Sequence, residues 1–234
     1  MERIKTRDWR DRARTGAAVI GWARGRVMNA VLDHLVVTAP TLAEGAAYVQ
    51  ERLGVEPRPG GVHPDMGTHN RLLRLDEGIY LEVIAIDPAG TPPQVPRWFD
   101  LDAAVDRARL ATWVARTTDL EAGIAAAAHD PGPVRPMRRG ALHWRIAFPS
   151  DGGLLAGGVL PPLIEWPPEA THPAERLPDD GLALEGLYGT HPQAATIRAQ
   201  LAAIGLDTVI AVEAGEEAAL YARIRTPSGR VDLE

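Results

Sequence analysis

A chain of 234 residues is long enough for one sizeable core, or for two small domains sharing an interface. It has no cysteine, so disulfides and thiolate metal sites are excluded, and any bound metal must be held by His, carboxylate or water. The formal charge of −6 is uneven: residues 1–27 carry +5 and the rest −11, and so acidic a body argues against nucleic acid, whose phosphates need a basic surface.

In chain order, residues 1–27 form a basic leader with eight Arg or Lys. It has three acids and lacks a proper apolar segment, which speaks against a secretion signal. It is expected to be peripheral, with Met28 as a natural start. Nowhere does an apolar run approach the ~18–20 residues that span a membrane, so a cytoplasmic location is the default. The first strong element follows Met28. Residues 29–38 are apolar around the pair Asp33–His34, as in a half-buried strand. Thr41-Leu-Ala-Glu44 is a capping box, Leu42, Ala46, Val49 and Leu53 recur at helical spacing, and Gly54 stops the helix. Two β-rich runs, Thr68–Leu75 and Ile79–Ile86, are joined by Asp76-Glu77-Gly78. With one more strand before them, these make a βαβββ unit over residues 28–90.

The unit recurs. LATWVARTT and the capping box Thr118-Asp-Leu-Glu121 begin a second over residues 108–167, and LALEGLYG with Pro192 at a helix start begins a third over residues 181–234. Superposing the helix ends sets His34 against Thr112 and Glu185, and Glu82 against Glu165 and Glu234, spacings of 48, 53 and 49 residues. The linkers Pro88–Pro96 and Trp166–Asp180 are Pro-rich and cannot continue a ladder. Gly152–Gly158 reads as a flexible loop able to lie over a pocket.

Several polar residues interrupt apolar strands. Glu82, between Leu81 and Val83, would cost several kcal/mol if buried without a partner. His69 and Asn70 face opposite ways on a strand, so one of them points inward, where it could orient a substrate carbonyl or act as a general acid or base. Arg145, between Trp144 and Ile146, wants a carboxylate, either Glu165 or an anionic substrate. Trp113, Trp144 and Trp166 could line a pocket. There is no Gly-rich nucleotide fingerprint, P-loop, nucleophile elbow or H-E-x-x-H, so no nucleotide cofactor is expected.

The segments DHLVV, HPDMGTHNRLLRL and YLEVIAIDP resemble the glyoxalase-like members of the vicinal oxygen chelate superfamily. The resemblance implies an α+β fold of tandem βαβββ modules forming curved mixed sheets, which often hold a divalent metal inside the curve. It implies metal ligands at His34 and Glu82, with Glu165 or His143 completing a set suited to Zn, Fe, Mn or Ni. Thr112 stands where a further ligand is expected, which leaves a metal-free pocket open. Glu82 and His69 become the catalytic candidates, and Asn70, Arg145 and Trp144 the substrate-binding ones. The expected function is binding of a small oxygenated metabolite, as a metal-dependent lyase, isomerase or dioxygenase. The alternative is a non-catalytic, metal-free binding or sequestering protein. A homodimer is compatible with either.

Overall fold

The computed structural model describes residues 30–103 and 105–234. The expectations about residues 1–27 and a start at Met28 fall outside the described residues.

The first unit contains β1 (Val31–Thr38), α1 (Leu42–Leu53), β2 (Arg58–His63), β3 (Thr68–Asp76) and β4 (Ile79–Ile86). Thr41 caps α1, its hydroxyl accepting from the Glu44 N–H at 3.2 Å, and Gly54 closes it in the left-handed region at φ 74°. The second unit contains β5 (Arg109–Arg116), α2 (Leu120–Ala126), β6 (Val134–Arg139), β7 (Leu142–Ala147) and β8 (Leu163–Glu165). Its helix is capped by Asp119, one residue after the expected Thr118, because the Asp119 carboxylate reaches the Ala122 N–H at 2.9 Å.

Both units are wired alike. In each, the first strand runs parallel to the fourth, and the two first strands pair antiparallel, giving one eight-stranded sheet of order β2-β3-β4-β1-β5-β8-β7-β6. The sheet curves until its edge strands nearly meet. The Arg139 stem on β6 lies 2.9 Å from where a Cβ on Gly61 of β2 would sit, so any side chain there would displace Arg139. One face of the sheet is concave and the other convex.

The third unit has the same element order, β9 (Ala183–His191), α3 (Ala194–Ala203), β10 (Ile210–Ala214), β11 (Ala219–Thr226) and β12 (Gly229–Leu233). Its wiring differs. Its strand order is β10-β9-β11-β12, with β9 parallel to β10 rather than to the last strand. The expected equivalence of Glu185 with His34 therefore fails, and Glu185 instead meets Arg230 on the surface at 2.5 Å. Helix α3 starts at Ala194, two residues after Pro192, because β9 continues to His191.

The third unit covers the convex face. Leu35, Val37, Leu81, Val83 and Trp113 of the large sheet join Ile197, Leu201, Leu220 and Ile224 in one apolar cluster. That cover, with Val49 and Leu53 of α1, explains why β1 is buried on both faces instead of half-buried. About 50 residues rarely bury enough apolar surface alone. A fragment of residues 182–234 is expected to show no cooperative melt by circular dichroism, and a sharp, reversible transition would contradict the shared core.

A buried acid–imidazole cluster on the concave face

The concave face is polar on the first unit's side and apolar on the second's. In β1 the register with β5 slips by one residue between Leu32 and His34, leaving Asp33 as a bulge. Leu32 and Leu35 both enter the convex cluster. The extra residue between them lets Asp33 and His34 face the concave side together, where plain alternation would separate them. His34 is then held at both nitrogens: Nδ1 lies 2.6 Å from Asp33 Oδ1, and Nε2 3.5 Å from Glu82 Oε2 on β4. Tyr80 stacks on the imidazole with ring centres 4.5 Å apart.

Around Glu82 the network extends to β2 and β3. Asn70 donates to Glu82 Oε1 at 2.5 Å, and its own Oδ1 accepts the Gly61 N–H at 2.9 Å, which fixes the amide's orientation. The His63 Nε2 sits 3.4 Å from Asn70 Nδ2 and 3.9 Å from Glu82 Oε1, while its Nδ1 bonds Thr68 at 3.0 Å. The glycines of Pro59-Gly60-Gly61 make room for this. A Cβ on Gly60 would fall 2.1 Å from Asn70 Oδ1. Behind His34, the second Asp33 oxygen accepts Trp166 Nε1 at 3.0 Å and His172 Nε2 at 2.9 Å. His172 Nδ1 takes the Ala174 N–H at 3.3 Å, so its Nε2 carries the proton given to Asp33.

These contacts drive the two facing imidazoles apart. Burial pushes His34 down, but hydrogen bonds and charge from Asp33 and Glu82 more than reverse it, raising the group to about 9. Burial also dominates at His63, lowering it to about 4 against a weaker opposing pull from Glu82. For Glu82, burial is overcome by the bonds from His34 and Asn70 and by imidazole charge, which bring it down to about 2. Asp33 falls well below the usual carboxylate range for the same reason, through His172 and His34. At neutral pH the cluster is a cation between two carboxylates, with a neutral imidazole alongside.

The cavity above it is walled by the linkers. Trp98 and Phe99 follow the first Pro-rich linker and stack 5.5 Å apart, while Trp166 stands in the second and lies 5.3 Å from Trp144 of β7. Phe99 and Asp100 adopt φ of 58° and 59°, a conformation rare for residues with a side chain. Gly152 holds that turn. Its carbonyl accepts the Asp100 N–H at 2.8 Å, and a Cβ on it would fall 2.0 Å from the Arg97 carbonyl oxygen. The cavity measures about 310 Å³ with its mouth included.

A family model for a glyoxalase-like domain matches residues 32–205, which include the whole cluster and both paired units. This chain belongs to the glyoxalase-like domain family. Among solved structures, the glyoxalase-like chain is similar to a hypothetical protein from Staphylococcus aureus, with a TM-score of 0.60 and 12% identity over 82% of this chain and 88% of that one. It also matches methylmalonyl-CoA epimerase from Mycobacterium tuberculosis, with a TM-score of 0.40 and 22% identity over 64% of this chain and 95% of that one. A Streptomyces coelicolor methylmalonyl-CoA epimerase in complex with 2-nitronate-propionyl-CoA matches with a TM-score of 0.37 and 18% identity over 58% and 96%. The likeness to the Staphylococcus aureus protein concerns the fold alone. No curated protein matches.

Of the residues expected at a site in this glyoxalase-like domain, the fold brings His34, Glu82 and Trp144 to one cavity, with Asn70 bonded to Glu82 beside it. It does not bring the others. His69 faces away from Asn70, with its imidazole 4.0 Å from Asp87. Ile164 lines the cavity, so Glu165 beside it points to the opposite face, where it accepts the Leu120 N–H at 2.7 Å and Arg145 at 2.7 Å. The expected match of Glu165 with Glu82 is displaced by one residue, which on a strand reverses the face. Arg145 also pairs with Glu121 at 2.5 Å, and His143 is exposed. The Thr112 hydroxyl is spent on the Gly158 carbonyl at 3.1 Å, and the 155–158 turn tucks against β5 rather than over the cavity.

Neither Glu165 nor His143 therefore joins His34 and Glu82 to complete the expected metal set. Among the described residues no group of three His, Asp or Glu side chains is arranged to hold a metal ion. The second unit places Val114, Ile146 and Ile164 on the concave side, and these side chains have no atom to offer a metal. Asp33, His63, Tyr80, Arg139 and His172 complete the site and were not among the residues expected there. The adjacent glycines in a strand, Gly60-Gly61, were the available signal for the first unit's part.

Proposed function

We propose that the chain is an enzyme of proton transfer, taking a small oxygen-bearing molecule into the concave cavity and moving a proton at the carbon beside its carbonyl. The observation that supports this is the His34 imidazole, buried between the Asp33 and Glu82 carboxylates and in contact with the cavity. Such an arrangement is expensive if it serves only stability, because apolar packing does as well, and groups pushed apart in acidity mark acid and base positions. In this reading Glu82 accepts the proton once a ligand disturbs its bond to His34, and the imidazolium faces the oxygen on which charge develops. His63 stays neutral and, through Asn70, keeps Glu82 oriented. The aromatic walls exclude water and flatten the space available to the ligand.

Simple carbonyl compounds suffice as probes of this chemistry. Pyruvate, 2-oxobutyrate, dihydroxyacetone and cyclohexanone are each incubated with the protein in D₂O, and loss of the α C–H signal is followed by NMR. At least one is expected to exchange about 100-fold or more faster with the wild type than with Glu82→Gln. A probe that saturates the cavity, seen as quenching of its tryptophans, yet exchanges no faster than in buffer would defeat the catalytic reading. That result would favour a binding protein, a role the apolar half of the cavity, Val114, Ile146 and Ile164, equally suits.

A further inference from the structure

One charge in the cavity has no counterpart. Arg139, the last residue of β6, lines the cavity with Glu82, His63 and Trp144 and is only 8% exposed. Among the described residues its guanidinium has neither an ion-pair partner nor a hydrogen-bond acceptor. The guanidinium nitrogens are not among the buried polar atoms that lack a partner, so they meet solvent at the cavity and stand open to an acceptor there. Its stem is held in place, since the Cγ packs against Gly61 across the closure of the sheet. A second donor at the cavity also lacks an acceptor: the buried indole Nε1 of Trp98.

From this we infer that the cavity takes a small monocarboxylic acid, with Arg139 as the group that anchors its carboxylate. The inference rests on the proposed cavity function and names the class of molecule that would occupy it. A planar five-donor fork matches a carboxylate in two parallel hydrogen bonds, which a neutral carbonyl cannot reproduce. A monocarboxylate brings one negative charge beside Glu82, while a phosphate dianion would crowd two against it. The walls suit a flat or apolar body behind the carboxylate, because Trp98, Phe99, Trp144 and Trp166 offer ring faces rather than polar atoms.

The experiment uses the full chain with benzoate, its neutral isostere benzamide, and inorganic phosphate, reading cavity-tryptophan quenching and calorimetry. Benzoate is expected to bind at least about tenfold more tightly than benzamide or phosphate. Arg139→Gln should bring benzoate down to the benzamide level and leave benzamide unchanged, and Arg139→Lys should recover only part of the loss. Because the guanidinium is unpaired in the free protein, Arg139→Gln is also expected to melt at or above the wild-type temperature. Equal binding of benzoate and benzamide, unaffected by Arg139→Gln, would overturn the carboxylate anchor while leaving the cavity as a binding site. So would tighter binding of phosphate, or a marked fall in the melting temperature of Arg139→Gln, which would show that Arg139 serves the fold. Failure of all three probes to quench the tryptophans would count against the cavity reading itself and take this inference with it.

Discussion

Asp33→Ala is expected to destabilise the protein by on the order of 3–5 kcal/mol, the scale for removing one partner of a buried ion pair. Asp33 is fully buried and accepts from three side chains, His34 at 2.6 Å, His172 at 2.9 Å and Trp166 at 3.0 Å, with Arg116 a further partner at 3.6 Å. Alanine would leave the His34 cation with Glu82 alone and would orphan the Trp166 and His172 donors, at about 1–3 kcal/mol for each one that stays buried. The loss also reaches the chain path. Trp166 and His172 lie in the linker after β8, and their bonds to Asp33 pin it across the cavity mouth. The variant should therefore melt roughly 10 °C lower, given that 1 kcal/mol moves a protein of this size by about 2–4 °C. Limited proteolysis should cut between residues 166 and 180 sooner than in the wild type. A melting temperature within about 2 °C of the wild type would mean that Asp33 is not the pin described.

Stability is expected to peak near pH 6–7 and to fall on both sides, with a different histidine responsible for each limb. His34 is raised from 6.5 to about 9 in the folded protein, so its contribution is fully present below 6.5 and is lost as pH climbs through 9. His63 is lowered from 6.5 to about 4, so the unfolded chain takes up its proton first and stability drains as pH falls from 6.5 through 4. Glu82, lowered from 4.5 to about 2, adds to the acid loss only below 4.5. Each histidine limb is worth on the order of 3 kcal/mol across its window. Urea unfolding from pH 4.5 to pH 9.5 measures this directly. His34→Gln should flatten the alkaline limb and leave the acid one, and His63→Gln should do the reverse. An unchanged alkaline slope in His34→Gln would show that the imidazole is not held charged between Asp33 and Glu82.

Much of the architecture is decided by local chemistry, and the sequence by itself determined it. Thr41 and Gly54 bracket α1 because a hydroxyl can cap orphan N–H groups and glycine tolerates φ of 74°. Strands β3 and β4 follow from their apolar runs and the turn between them, and the resemblance to glyoxalase-like domains rests on those same segments. The meeting of His34 with Glu82 could also be anticipated, since two polar groups in apolar strands of one unit need each other or a ligand.

What only the tertiary structure decided turns on one-residue displacements and on surfaces remote in sequence. The bulge at Asp33 brings a second carboxylate to the concave face, and nothing local to DHLVV marks where a ladder will slip. The same parity turns Glu165 outward to Arg145 and leaves Ile164 in its place. The third unit repeats the order of elements but not the pairing, because backbone pairing is chosen by which edges are free and which face needs cover, here the convex side of the large sheet. Arg139 reaches the cavity only because the curvature of eight strands carries β6 back to β2. Helix caps and turns involve residues within a few positions of each other and can be read along the chain. Facing, pairing and the placing of a lone charge depend on atoms far apart in sequence, 139 residues for Asp33 and His172, and exist only once the sheet has closed.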